Sequence, residues 1–280
     1  RSPSAMLDPD HPGVVVAGPW RGRPQHWPAH VRSLQRWLQR SGWPLLADGL
    51  SGLRGCPGLE ALGAYDLALS APRADLQVGQ VLRLGPLPAS RRLQGWLAAN
   101  GGRQLVISEG DPRSLDPLGC ASEQWSGGLE AWLETQVPAG DTAQPSSCNI
   151  AHQLCWRQTE RSIQELLDQE LGASGTTMTS LSEPALARAL SRLLPSDVAL
   201  MLANSSPVRD WESFAVDVVL LCAAHGLAHR RLDDAPQLAD GLAWLLQQQF
   251  GVLEVCTDRR ADAALRQRLR TMALELSPAP

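Results

Sequence analysis

Asp197–Phe214 reads DVALMLANSSPVRDWESF. Within it, Asp197 to Ala203 is a short, almost wholly apolar run, the pattern of a strand buried in a parallel sheet. The run breaks into Asn204, Ser205 and Ser206 ahead of Pro207, which marks entry into a helix. Ser206 suits the cap, and Pro207 suits the first helical position because its missing N–H would have had no partner there. Ligands of open α/β sheets gather at such places, beyond the carboxyl ends of strands, where loop polar groups and free helix N–H groups converge. Ser205 and Arg209 are thus placed to face one anion together. The competing reading is an ordinary strand-to-helix turn with its arginine in solvent.

Working upstream, Gly13–Ala17 (GVVVA) reads as a buried strand, Pro28–Ser41 as a helix stopped by Gly42, and Pro44–Ala47 as a second strand. Ala64–Ser70 is expected to be a short helix, Gly79–Leu84 a third strand, Ser90–Ala99 a helix, Arg103–Ser108 a fourth strand and Gly127–Thr135 a closing helix. Strands alternating with helices predict an α/β fold, a Rossmann-like parallel sheet over residues 13–137. The turn Gly18–Gly22 after the first strand has too few glycines for the dinucleotide fingerprint and lacks phosphate-loop spacing. A standard NAD site is therefore rejected.

Residues 1–12 read as a linker, as do 138–147 (PAGDTAQPSS). Residues 148–280 are expected to form part of a second α/β domain. Its helices are placed at Ile150–Leu171, Glu183–Leu194, Asp234–Gln249 and Arg260–Leu276, with strands at Asp197, after His225, and at Gly251–Cys256.

The chain has 280 residues, 44% hydrophobic and 19% charged, with a net charge of -4. That is enough to bury a real core, and it argues against disorder or nucleic acid as the main partner. Every basic residue is arginine, which excludes a Schiff-base or phosphate-loop lysine within this stretch. The six cysteines form no CxxC pair and read as reduced, buried thiols. No apolar run reaches the ~18 residues of a membrane span and no leader pattern opens the chain, so a cytoplasmic location is expected. A first residue of Arg1 implies a piece of a longer protein.

Among polar clusters, His26 and His30 lie four apart, and Cys148, His152 and Cys155 share a helical face. Neither has an evident full ligand set, so a surface or packing role is favoured for the histidine pair and packing for the Cys148, His152 and Cys155 cluster. His225 and His229 show no partner carboxylate and are assigned packing or surface roles. Arg91 and Arg92 open the helix after the third strand; adjacent arginines there suit bidentate carboxylate binding, and two exposed helical arginines are equally commonplace.

Three separated motifs carry a resemblance. NSSPVRDWESF (204–214), GWPLLADGLSGLR (42–54) with Ala64-Tyr65-Asp66, and LGPLPASRRLQGWL (84–97) resemble, in order and spacing, the 2-succinyl-5-enolpyruvyl-6-hydroxy-3-cyclohexene-1-carboxylate (SEPHCHC) synthase (MenD) family of menaquinone and phylloquinone biosynthesis. The resemblance implies a thiamine-diphosphate- and Mg²⁺-dependent enzyme that decarboxylates 2-oxoglutarate and adds the four-carbon unit to isochorismate, as a homodimer or homotetramer. It implies substrate-binding roles for Arg91, Arg92, Ser205 and Arg209, with Arg91 standing where many relatives have lysine. No catalytic acid, base or nucleophile is assigned. The family's Gly-Asp-Gly metal segment is missing: Gly110-Asp111 leads to proline and Gly140-Asp141 to threonine. A stretch on the order of a hundred residues is expected to be absent near Ala215 and Val216. The alternative is a non-catalytic Rossmann-like assembly or ligand-binding module.

Overall fold

The computed structural model describes residues 7–138, 140–172, 182–193, 228–248, 251–255, 257 and 259–276. The expected strand at Asp197, the turn carrying Ser205 and Arg209, the expected gap at Ala215 and Val216, and His225 lie outside the described residues. The chain divides into two compact units, Arg1–Gln164 with Met272–Pro280, and Glu165–Thr271.

In the first unit, β1 (Gly13–Ala17), β2 (Leu45–Ala47), β3 (Ala61–Leu62), β4 (Gln80–Leu84), β5 (Arg103–Ile107) and β6 (Glu123–Trp125) form one parallel sheet in the order β3-β2-β1-β4-β5-β6. This is the strand order of a doubly wound dinucleotide-binding sheet, with its topological switch point between β1 and β4. The four central strands are the four the apolar runs predict. The edge strands β3 and β6 were not expected: one is two residues long inside a glycine-rich loop, and the other, Glu-Gln-Trp, is only half-buried. Short polar edges carry no apolar run to read.

Side-chain alternation sends Val15, Ala17, Leu45, Ala47, Leu82, Leu84, Leu105 and Ile107 to one face. There α1 (Trp27–Ser41) and α4 (Leu129–Gln136) cover them with Leu34, Trp37, Leu129, Trp132 and Leu133. The Trp37 indole stands edge-on to Trp43 and Trp132, with ring centroids 5.2 and 4.9 Å apart. The helix α1 stops where expected, because Gly42 adopts φ 67° and its N–H turns back to the Leu38 carbonyl.

The other face carries Val14, Val16, Val81, Val106 and two buried polar side chains, Arg83 and Gln104. Here α3 (Arg91–Ala99) lies across the sheet, and the Gln104 side-chain amide donates to the Leu97 carbonyl at 2.6 Å. Arg83 is neutralised by Asp116, Nη1 to Oδ1 2.7 Å, and Asp116 also accepts from the Ala121 amide at 2.6 Å. Burial raises the Asp116 pKa, and these hydrogen bonds together with the guanidinium outweigh it, holding the carboxyl below its usual range. The short α2 (Tyr65–Ala68) follows β3, and the long α5 (Ser147–Leu171) brings Trp156 edge-on to Trp96 at 6.5 Å.

The second unit contains α6 (Glu183–Leu193), β7 (Ala228–Leu232), α7 (Leu238–Leu246), β8 (Gly251–Val255) and most of α8 (Arg259–Glu275). The strands β7 and β8 pair in parallel with α7 between them in sequence, and Leu232, Leu238, Leu242 and Leu269 share a core with Ala185 and Ala189. One expectation is corrected here. His229 does have a carboxylate, Glu254, with Nε2 to Oε2 3.1 Å. The pairing register of two strands that are distant in sequence creates the contact. Among the described residues no helix is long and apolar enough to cross a membrane.

Candidate functional site

The carboxyl ends of β2 and β4 meet in a loop cluster that two aspartates hold in shape. Asp48, directly after β2, is buried; its Oδ1 accepts the Leu50 amide at 2.8 Å and its Oδ2 accepts the Ala89 amide at 3.0 Å. One side chain thereby fastens the β4–α3 loop to the end of β2. That loop is also closed on itself, since the Gln94 side chain donates to the Pro88 carbonyl at 2.8 Å. Ser90 caps α3, its Oγ accepting the Leu93 amide at 3.1 Å and donating its proton to Asp66 Oδ1 at 2.6 Å. The other oxygen of Asp66 pairs with Arg92 Nη1.

Asp66 is itself held. It follows Tyr65, whose ring lies under the Arg54 guanidinium, 5.9 Å from its centroid, while Arg54 Nε donates to the Ala47 carbonyl at 2.8 Å. From α5, the Glu160 carboxylate accepts the Gly63 and Ala64 amides at 3.2 and 2.9 Å. Burial pushes the Tyr65 hydroxyl above its usual pKa against the opposing pull of Arg54, so it stays protonated and neutral at pH 7.

Two of the four sequence-predicted residues thus sit on described backbone, in the first turn of α3 at a strand's carboxyl end. Arg91 is exposed and makes no hydrogen bond or ion pair with any described residue. Arg92 is about a quarter exposed and has one described polar partner, Asp66. Ser205 and Arg209 lie outside the described residues.

At the switch point itself, protein fills the crevice. The Gly18 N–H donates to the Leu84 carbonyl at 2.9 Å, and a Cβ on Gly18 would come within 1.6 Å of the Pro86 carbonyl oxygen. The loops after β1 and β4 therefore close on each other, leaving a cavity of about 20 Å³, where a nucleotide-binding sheet would seat a pyrophosphate. Beneath them His30 packs between Trp20 and Trp27, with ring centroids 4.6 and 5.9 Å away, and hydrogen-bonds through Nδ1 to Glu109 Oε1 at 2.8 Å. The same carboxylate oxygen accepts the Leu129 amide at 3.0 Å, tying β5 to the start of α4.

Among the described residues no group of three His, Cys, Asp or Glu is arranged to hold a metal. His30 is spent on Glu109. Cys148 is exposed, Cys155 is half-buried, and neither ring nitrogen of His152 has a polar partner. Burial holds the His152 pKa below its usual value, as expected of a neutral packing imidazole. Asp111 is bound by Arg113 and Asp141 by Arg40. A wider open groove of about 850 Å³ runs beside the second half of α1, but its Arg40 and Arg157 are already paired with Asp141 and Glu60.

Sequence reading missed Asp48, Arg54, Asp66 and Ser90 as site residues. All four lie inside the quoted motifs, and the D-x-L of Asp48–Leu50 and the S-R-R of Ser90–Arg92 are local cap signals. What brings them together is strand order.

A family model described as the middle domain of thiamine pyrophosphate enzymes matches residues 9–202. Among curated proteins, the 2-succinyl-5-enolpyruvyl-6-hydroxy-3-cyclohexene-1-carboxylate synthase of Synechococcus sp. (strain RCC307) is 51% identical over 209 residues, covering 75% of this chain and 34% of the relative. The enzyme of the same name from Synechococcus sp. (strain CC9902) is 35% identical over 370 positions, covering 97% of this chain and 63% of the relative. That from Parasynechococcus marenigrum (strain WH8102) is 50% identical over 211 residues, covering 74% and 35%. The chain thus spans from about a third to less than two thirds of the length of these relatives.

Proposed function

We infer, since the chain belongs to the family of thiamine pyrophosphate enzyme middle domains and is a sequence relative of the SEPHCHC synthases, that it is the carboxylate-binding part of such a synthase. The complete enzyme would decarboxylate 2-oxoglutarate and add the four-carbon unit to isochorismate. Thiamine diphosphate, held with Mg²⁺ by residues other than those described, would supply the carbanion-stabilising ring.

What this chain contributes is oriented positive charge. Both substrates are carboxylates, and the observation that carries the reading is the Arg91–Arg92 pair in the first turn of α3, on a loop fastened by Asp48, Ser90 and Asp66. Among the described residues no polar group takes the Arg91 guanidinium, and Asp66 takes one edge of that of Arg92. Ser205 and Arg209 are proposed as further carboxylate-binding residues, on the strength of the NSSPVRDWESF motif that carries them. None of the four acts as acid, base or nucleophile.

The internal length difference fits this reading. The 370-position alignment uses 97% of 280 residues, so about a hundred positions of that relative have no counterpart here, whereas alignments of 209 and 211 positions use 75% and 74% of the chain almost without gaps. We place the excess near Ala215 and Val216, where the cofactor segment would stand. Amplifying the transcript across those two codons tests it: a product longer by about 300 nucleotides means the segment exists in the protein, and a product of the written length means deletion and a catalytically silent chain.

The site is tested by ligand and by substitution. In the complete protein, Arg92→Ala is expected to lower kcat/KM by a factor equivalent to about 2–4 kcal/mol, as for a lost charge-paired contact. 2-Oxoglutarate is expected to raise the Tm where ATP and NAD do not. Unaltered kinetics in both Arg91→Ala and Arg92→Ala would remove the pair from the site.

A further inference from the structure

We propose that Asp66 is a positioning residue, which sets the Arg92 guanidinium for carboxylate binding by occupying one of its donors and leaving the others open. The proposal rests on the reading of Arg92 as a carboxylate-binding residue.

The two oxygens of Asp66 are divided. Oδ1 accepts the Ser90 hydroxyl at 2.6 Å, and Oδ2 takes Arg92 Nη1. Ser90 is the cap of α3, so one carboxylate fixes both where the helix begins and where the side chain of its second residue points. The Nη1 contact is the one polar contact of Arg92 among the described residues. The Nε and Nη2 donors lie on the opposite edge of the planar fork, the edge that pairs bidentately with a carboxylate. A guanidinium held this way loses little further rotamer freedom when a ligand arrives, which is the general gain of preorganisation.

The support continues behind Asp66. Its backbone follows the Ala64 amide bonded to Glu160, and the neighbouring Tyr65 ring is buried beneath Arg54. Arg91, one residue away, has no such tether among the described residues. The two arginines thus divide the work: Arg92 is oriented, and Arg91 is an exposed charge that attracts anions.

The test uses the complete protein and steady-state kinetics with 2-oxoglutarate and isochorismate on Asp66→Ala, Asp66→Asn, Arg92→Ala and the Asp66→Ala/Arg92→Ala double variant. Asp66→Ala is expected to raise the KM of one carboxylate substrate about tenfold with kcat within about twofold, the size of coupling between residues in one ion-pair network. Asn can still accept the Ser90 hydroxyl but carries no charge, so Asp66→Asn is expected to show most of the same KM increase, and it remains informative if the alanine variant folds poorly. In the Arg92→Ala background, removing Asp66 should change KM no further. If Arg92→Ala raises KM and neither Asp66 variant does, this proposal is overturned and the carboxylate site stands. Equal KM increases from Asp66→Ala in both backgrounds would mean a purely structural role and overturn it too. No effect from Arg92→Ala would overturn the reading beneath it.

Discussion

Replacing Glu109 by alanine should loosen the carboxyl end of the first unit's sheet by an amount that its contacts predict. Oε1 accepts from His30 Nδ1 at 2.8 Å and from the Leu129 amide at 3.0 Å, and the side chain is 16% exposed against 5% for His30. A hydrogen bond to a charged group is worth about 1.5–3 kcal/mol, and loss of a helix cap costs roughly 1 kcal/mol. The buried imidazole and the first amide of α4 would both be left without their partner, so Glu109→Ala should cost about 3 kcal/mol. For a unit of this size that corresponds to a Tm lower by roughly 6–12 °C.

Glutamine keeps an acceptor for the amide but not the charge, and should cost about half as much. Protonation adds a second handle. Burial is the largest influence on Glu109 and raises its pKa, but the hydrogen bonds from His30 and Leu129 and the nearby charges of His30 and His26 outweigh it, leaving the carboxyl below its ordinary 4.5. A depressed carboxylate stabilises the fold fully above its unfolded pKa and loses that contribution as pH falls through the folded one. The Tm difference between the parent protein and Glu109→Gln should therefore be full at pH 7 and shrink once pH drops below about 4. Trp20 and Trp27 pack on His30, so tryptophan fluorescence during thermal and pH titrations reports on the site directly. A Glu109→Ala melt within 2 °C of the parent, or a gap to Glu109→Gln that is the same at pH 7 and 3.5, would refute the reasoning.

Three further changes probe the scaffold. Gly18→Ala puts a methyl 1.6 Å from the Pro86 carbonyl oxygen; urea titration should show a loss of about 2–4 kcal/mol, and an unchanged midpoint would mean the two loops part easily. Arg83→Ala leaves Asp116 without its partner in a site where the arginine is 2% exposed, and should cost about 3–5 kcal/mol by the same titration, with little dependence on salt; a strong salt effect would show the pair to be solvated. Trp37→Ala removes an indole that is edge-on to both Trp43 and Trp132. It should cost about 3–5 kcal/mol and flatten the near-UV circular dichroism, whereas an unchanged spectrum would deny the three rings their fixed packing.

What the amino-acid order determined is the set of central elements and their ends. Runs such as GVVVA at 13–17 and LVI at 105–107 are strands because only a position covered on both faces accepts so continuous an apolar segment. Gly42 ends α1 and Ser90 begins α3 because φ above zero and side-chain capping are local properties that one residue type supplies. The Arg91–Arg92 pair was visible for the same reason: its address, just past a strand and inside a helix's first turn, is written in neighbouring residues.

Contacts set by strand order were decided only by the tertiary structure. β2 and β4 are not neighbours in the sheet, yet their ends converge, so Asp48 reaches Ala89 across 41 positions of sequence and Asp66 reaches Arg92 across 26. His30 and Glu109, 79 positions apart, looked like a surface or packing histidine and an unremarkable acid until α1 and β5 were brought together. The polar edges β3 and β6 were silent for a related reason, since their pairing depends on a neighbour's open backbone rather than on their own side chains. Periodicity records which face a residue presents; which carboxylate that face will meet depends on the winding of the whole chain.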